Sequence, residues 1–178
     1  MKQPIIPQLS AEEFLRWEEA QSLRFELHHG FAVAYAGGTV SHDRVSFRAR
    51  GLLARLYPSP CETFGRDVKV RVSEATFYYC DAGVRCDPID DDATVIERPH
   101  VVVEVLSRST RPYDIVEKRA AYRAMNCLAA YVIIHTDMRR IEVDARATNG
   151  RWSTGTYGDD EAYLNGQAFV LDEVYGRL

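Results

Sequence analysis

Long hydrophobic runs are missing from this chain. Its longest uncharged apolar stretches, such as Ala129 to Ile134, fall far short of the ~20 residues that a membrane-spanning helix requires. Cysteine is scarce, with four residues in 178 (Cys61, Cys80, Cys86 and Cys127). The closest pair, Cys80 and Cys86, is too widely spaced for the usual zinc-ligand pattern, so all four are expected to be reduced thiols. An excess of positive charge is also lacking: 22 Lys and Arg stand against 26 Asp and Glu, a net charge of −4. A protein with that balance does not coat nucleic acid non-specifically, and any nucleic-acid contact must be local. Sequence repeats, low-complexity tracts and glycine- or serine-rich linkers are absent as well, which predicts one domain over residues 1–178. The first residues lack the apolar core of a secretory signal, which predicts a cytoplasmic protein.

What is present is an ordinary core-forming composition, 46% apolar and 27% charged. A chain of this size buries roughly 70% of its unfolded surface and needs neither disulfide nor metal to fold. Ser10-Ala11-Glu12-Glu13 reads as a capping box opening a helix to about Ala20, with Phe14 and Trp17 facing inward. Leu23 to His28 and Phe31 to Ala36 flank His29-Gly30 as a hairpin. Ser41 is placed to cap a second helix, in which Val45, Ala49, Leu52, Leu53 and Leu56 recur at helical spacing until Pro58 and Pro60. Arg44, Arg48 and Arg55 lie on its other face, read as solvated. Val68, Val70 and Val72 alternate as a half-buried strand, and Thr76 to Cys86 reads as its continuous neighbour with Asp81 in the middle. Val101 to Leu106 reads as a strand buried on both faces. Ser109 or Thr110 then caps a helix to about Asn126, with Pro112 in its first turn. Tyr131 to His135, Arg139 to Ala145 and Arg151 to Tyr157 complete the strands. The fold class expected is α/β in the broad sense, an α+β mixed sheet flanked by helices.

Chemistry enters with Glu104, the one carboxylate inside the valine run. A buried ionised Glu must be protonated, paired, hydrogen-bonded or bound to a cation. Asp81 poses the same question on another strand, and adjacent strand ends could bring the two together. Two hard oxygen ligands completed by water suit Mg²⁺ or Mn²⁺ better than zinc. Such an ion activates water and neutralises charge on a phosphate, the demands of phosphodiester hydrolysis. Glu26, mid-strand, could add a ligand or base, with cross-strand pairing to Arg24 or Arg66 as the bland alternative. Asp114, Lys118 and Tyr122 share one helical stripe, from which Lys118 could direct its ammonium at the cluster or simply pair with Asp114 on the surface. His42 is either a helix-terminal structural histidine or a proton shuttle.

Several segments together resemble a known family: Phe25-Glu26-Leu27-His28-His29-Gly30, His42, Tyr78-Tyr79-Cys80-Asp81, Val103-Glu104-Val105-Leu106-Ser107-Arg108-Ser109-Thr110, then Asp114, Lys118 and Tyr122, Ala130 to Ile133, and the closing Leu164 to Tyr175. The chain resembles the Uma-type restriction-endonuclease domain of the PD-(D/E)XK nuclease superfamily from about Ser10 onward. The resemblance implies a restriction-endonuclease-like core in which Asp81 and Glu104 hold a divalent metal, Glu26 is a further acidic member, Lys118 is the migrated lysine, and DNA is the substrate. Two positions depart from the superfamily pattern: Cys80 stands where proline precedes the aspartate, and Leu106 where lysine follows the glutamate. Two rival readings share the fold: a non-catalytic interaction module, motivated by Leu106 and the net acidity, and a phosphodiesterase on a small nucleotide. Tyr163, Phe169 and Tyr175 could serve a homodimer interface or cover the core.

Overall fold

The computed structural model describes residues 8–35, 37–106 and 114–176. The first helix, α1 (Ala11–Glu19), begins with the expected capping box: Ser10 accepts from the Glu13 N–H, and the Glu13 carboxylate accepts from the Ser10 N–H. Strands β1 (Phe25–His28) and β2 (Phe31–Ala34) form a hairpin. Its two-residue turn holds His29 at φ 49° and Gly30 at φ 89°, the left-handed pair that tight hairpins need. Helix α2 (Val40–Leu56) is capped by Thr39, which accepts from the His42 N–H, and not by Ser41 as expected. Thr39 is the residue that keeps extended backbone after the glycine pair, so Ser41 falls inside the helix.

Strands β3 (Glu62–Gly65), β4 (Lys69–Ser73), β5 (Thr76–Tyr78), β6 (Ala82–Arg85), β7 (Val95–Ile96) and β8 (Val101–Leu106) follow. The single strand expected over Thr76 to Cys86 is two. β5 pairs with β1 and β4 in a five-stranded sheet of order β2-β1-β5-β4-β7, whereas β6 pairs with β3 and β8 in a six-stranded one. The chain changes sheets across Tyr79, Cys80 and Asp81, so Asp81 stands at a junction. The expected caps Ser109 and Thr110, Pro112, and the motif residues Ser107 and Arg108 lie outside the described residues, as does the side chain of Asp114. A π-helical turn (Asp114–Lys118) leads into α3 (Arg119–Ala124). Strands β9 (Ala130–His135), β10 (Arg140–Arg146) and β11 (Trp152–Tyr157) extend the large sheet to the order β11-β10-β9-β8-β6-β3. β8 and β9 run parallel and the other pairs in that sheet antiparallel, so the sheet is mixed as expected. A β12 (Glu161–Leu164) and β13 (Gln167–Val170) hairpin and the short α4 (Asp172–Tyr175) close the described chain.

Alternation along β8 explains why it carries an unbroken apolar run. Val101, Val103 and Val105 pack with α2 residues Ala49 and Leu53 and with Phe169 and Val174 from the C-terminal elements. Val102 and Leu106 pack on the opposite face against Val70, Tyr78, Tyr122 and Tyr131. Phe169 is therefore a core residue, and Tyr175 is half-buried with its hydroxyl bonded to the Arg140 carbonyl; Tyr163 stays on the surface. A third cluster lies under α1, where Phe14 meets Leu27 and Phe77. Two of the three arginines read as a solvated face anchor α4: Arg55 forks onto Glu173 at 2.7 Å, and Arg48 donates to the Tyr175 carbonyl.

The cysteine expectation is corrected by strand register. Glu62 pairs with Arg85 across β3 and β6, which sets Cys61 beside Cys86, and the two form a disulfide. A separation of 25 residues hides that proximity from spacing rules. Cys80 and Cys127 are free thiols. No helix among the described residues is long and apolar enough to cross a membrane.

Candidate active site

The residues singled out from the sequence converge where the two sheets meet. Ala82 of β6 pairs with Val103 of β8, so continuing that register sets Asp81 across from Glu104. The Asp81 N–H donates to the Val103 carbonyl at 3.1 Å, and the Val105 N–H donates to Asp81 Oδ2 at 2.8 Å. His42 Nε2, arriving from the first turn of α2, lies 3.3 Å from the same oxygen. Asp81 Oδ1 is buried and has no hydrogen-bond partner among the described residues.

Glu104 shares the β8 face of Val102 and Leu106, and there meets Lys118 from the helical crossover. Lys118 Nζ is 3.3 Å from Glu104 Oε1 and 2.9 Å from Glu26 Oε1, so it bridges the two carboxylates. All three side chains are buried. Glu26 also accepts from the Tyr79 N–H at 2.9 Å and lies 3.4 Å from His28 Nε2 through Oε2. The ring of Tyr78 lies 5.2 Å beneath the lysine ammonium and packs edge-on to Tyr122. Thus Asp81, Glu104, Lys118, Glu26 and His42 are brought together. The pairing of Glu26 with Arg24 or Arg66 gives way to this buried arrangement, Arg24 binding Asp67 and Arg66 lying with Asp43 instead; the pairing of Lys118 with Asp114 lies outside the described side chains.

The electrostatics follow from burial opposed by pairing. Burial alone would raise the Glu26 carboxyl, but the Lys118 charge and the bonds from His28, Lys118 and Tyr79 outweigh it and hold it below the usual carboxylate range. Burial alone would lower His42; the hydrogen bond to Asp81 and its charge prevail, so His42 binds its proton more tightly than a free imidazole. Sequence reasoning missed Tyr35 and weighed Arg66 only as a partner for Glu26. Burial first, and then the Asp81 and Glu104 charges, push the Tyr35 phenol up to about 12. Arg66 donates to the Tyr35 hydroxyl at 3.4 Å and pairs with Asp43 at 3.7 Å. Neither residue sits in a recognisable motif; only the approach of β2 and the β3–β4 turn brings them here.

Asp81, Glu104 and Glu26 gather three buried carboxylates here, the two glutamates bridged by Lys118. Among the described residues no three His, Cys, Asp or Glu side chains form a ready metal cage. Mg²⁺, however, keeps several waters and is held by one or two carboxylates. Asp81 and Glu104 fit such an ion: two hard carboxylates set across from each other, with Asp81 Oδ1 lacking a partner among the described residues, are the features a hard divalent cation satisfies.

The sequence profile of the Uma2 family, described as "Putative restriction endonuclease", matches residues 11–174. The chain belongs to the Uma2 family. It is 34% identical over 178 residues to the uncharacterized protein slr1290 of Synechocystis sp., covering 97% of this chain and 94% of that one. It is 27% identical over 153 residues to a second Synechocystis protein, sll1609, covering 81% and 84%. Among solved structures, the Uma2 chain is similar to the crystal structure of a putative nuclease belonging to DUF820 from Anabaena variabilis, with a TM-score of 0.75 and 11% identity over 94% of this chain and 97% of that one. At that identity the likeness speaks for a shared fold, which accords with the mixed α/β architecture expected from the sequence.

Proposed function

We propose that this Uma2 protein is a divalent-metal-dependent endonuclease that hydrolyses phosphodiester bonds in DNA. The observation that carries the reading is Asp81 Oδ1, a buried carboxylate oxygen with no donor among the described residues, on a residue facing Glu104. Asp81 and Glu104 would hold Mg²⁺ or Mn²⁺; bound there, the ion supplies Lewis acidity that activates water and offsets charge building on the phosphate. The protein's own groups set the stage for it. The Val105 N–H fixes Asp81 by one oxygen and leaves the other to the ligand. Glu26 anchors Lys118, so its ammonium is held at Glu104 and can stabilise negative charge on a reacting phosphate. This supports Lys118 in the role that Leu106 cannot fill. His42, with its proton affinity raised by Asp81, is the group that can hold a proton near neutrality at the site.

The test is nicking of supercoiled plasmid with Mg²⁺ or Mn²⁺ by the wild type, Asp81→Asn and Glu104→Gln, with Mn²⁺ titration calorimetry on the same samples. The expected outcome is metal-dependent nicking in the wild type, and in both variants loss of nicking and weaker Mn²⁺ binding with the fold retained by circular dichroism. Wild-type nicking rates in both variants would overturn the mechanism. Absence of Mn²⁺ binding to the wild type at millimolar metal would favour a non-catalytic module. Cleavage of a dinucleotide but not of plasmid would move the substrate to small nucleotides.

A further inference from the structure

At the far end of β6 from Asp81 stands a second buried charge. Arg85 is 5% exposed, its Nη1 is buried without a partner, and its guanidinium forms no hydrogen bond or ion pair with any described residue. The neighbouring acids are already engaged, Asp87 with Arg98 at 2.8 Å and Glu97 with Arg71 at 3.3 Å. The other deeply buried charges behave differently: Lys118 and Asp144 each meet partners of opposite sign. A buried guanidinium nitrogen with no acceptor is costly, because its lost hydration goes uncompensated.

Arg85 lines a cavity of about 290 Å³. Pro88, Ile89, Ala93, Val95 and Ile96 supply apolar walls, and the Asp87–Arg98 pair and Glu97 complete the lining. Apolar walls with one placed polar group are the usual composition of a small-molecule site. The planar fork of arginine matches a carboxylate in bidentate geometry. The two acids in the lining disfavour a doubly charged phosphate and leave room for one negative charge. We propose that Arg85 and this cavity bind a small monocarboxylate with an apolar body. The site is separate from the catalytic reading: Arg85 and Asp81 are four residues apart on an extended chain, roughly 13 Å at ~3.3 Å per residue.

Benzoate is the probe, with phenyl phosphate and inorganic phosphate as comparison anions, read by thermal melting and titration calorimetry on the full chain. The wild type is expected to melt at higher temperature as benzoate rises, in the logarithmic manner of a native-state ligand. Arg85→Met should lose that response and, without ligand, melt above the wild type, because the unpaired charge is gone. Ala93→Phe fills the cavity and leaves the guanidinium in place; it should weaken benzoate binding at least about tenfold. A wild type that ignores benzoate to millimolar concentration overturns the proposal. So does an equal benzoate response in wild type and Ala93→Phe, or a response to inorganic phosphate with none to benzoate.

Discussion

Replacing Lys118 by methionine tests the electrostatic core of the site without relying on turnover. The substitution preserves much of the stem and removes the one ammonium that bridges Glu26 at 2.9 Å and Glu104 at 3.3 Å. Lys118 is only 4% exposed, so water cannot readily replace it. Breaking a buried pair by removing one partner costs about 3–5 kcal/mol, because the other charge stays buried. For a chain of this length that is a fall in melting temperature of roughly 6–20 °C, taking about 2–4 °C per kcal/mol. The loss should depend on pH. Without the lysine, the burial of Glu26 is no longer outweighed, so its carboxyl moves above its unfolded pKa, protonation relieves it and the deficit shrinks as pH falls from about 7.5 to 5.5. Adding Glu26→Gln and Glu104→Gln to the lysine variant should recover most of the stability at neutral pH. The assay is urea unfolding at several pH values. A Lys118→Met loss below about 1 kcal/mol, the range of an exposed pair, would show that the three groups do not form a buried cluster, as would a loss that does not vary with pH.

Further outcomes follow from other parts of the fold. Glu18, Glu26 and Glu142 each have a folded pKa below the ordinary 4.5, burial being outweighed by Lys69, Lys118, and His135 with Arg119 respectively. Their contribution is complete above the unfolded pKa and is lost as pH falls through the folded values, so the urea midpoint should drop steeply below about pH 4.5; a flat profile from about pH 5 to 3 would contradict the pairing. Arg119 forks onto Asp144 with two contacts of 2.6 Å, and Asp144 is fully buried. Arg119→Lys keeps the charge but not the fork and should cost about 1.5–3 kcal/mol, the worth of one hydrogen bond to a charged group; an unchanged unfolding free energy would refute it. Alkylation of the unfolded, unreduced chain should label two cysteines, Cys80 and Cys127, and four after reduction; four labels without reductant would remove the Cys61–Cys86 bond.

Some of the site was legible before any coordinates. Glu104 stood out because a carboxylate in a doubly buried strand demands a partner, and that demand holds in any fold. Lys118 and Tyr122 shared a helical stripe, and both turned inward. The partners were not legible. Glu26 is 92 residues from Lys118 along the chain, and nothing local distinguishes that pairing from one with Arg24 or Arg66. Tyr35, and the place of Arg66 beside it, were invisible for the same reason.

The sequence by itself determined the features set by neighbours along the backbone: the Ser10–Glu13 capping box, the His29-Gly30 hairpin turn, and the two-faced burial of Val101 to Leu106. These depend on dihedral preference and on periodicities of 2 and 3.6 residues, which are written locally. Only tertiary structure decided that the chain changes sheets at Asp81, that Asp81 faces Glu104, that Cys61 meets Cys86, and that Arg85 is buried with no anion among the described residues. Each of these is a matter of strand register and sheet packing. A one-residue slip turns every side chain of a strand to the other face, so register is settled by the whole core and not by any single segment.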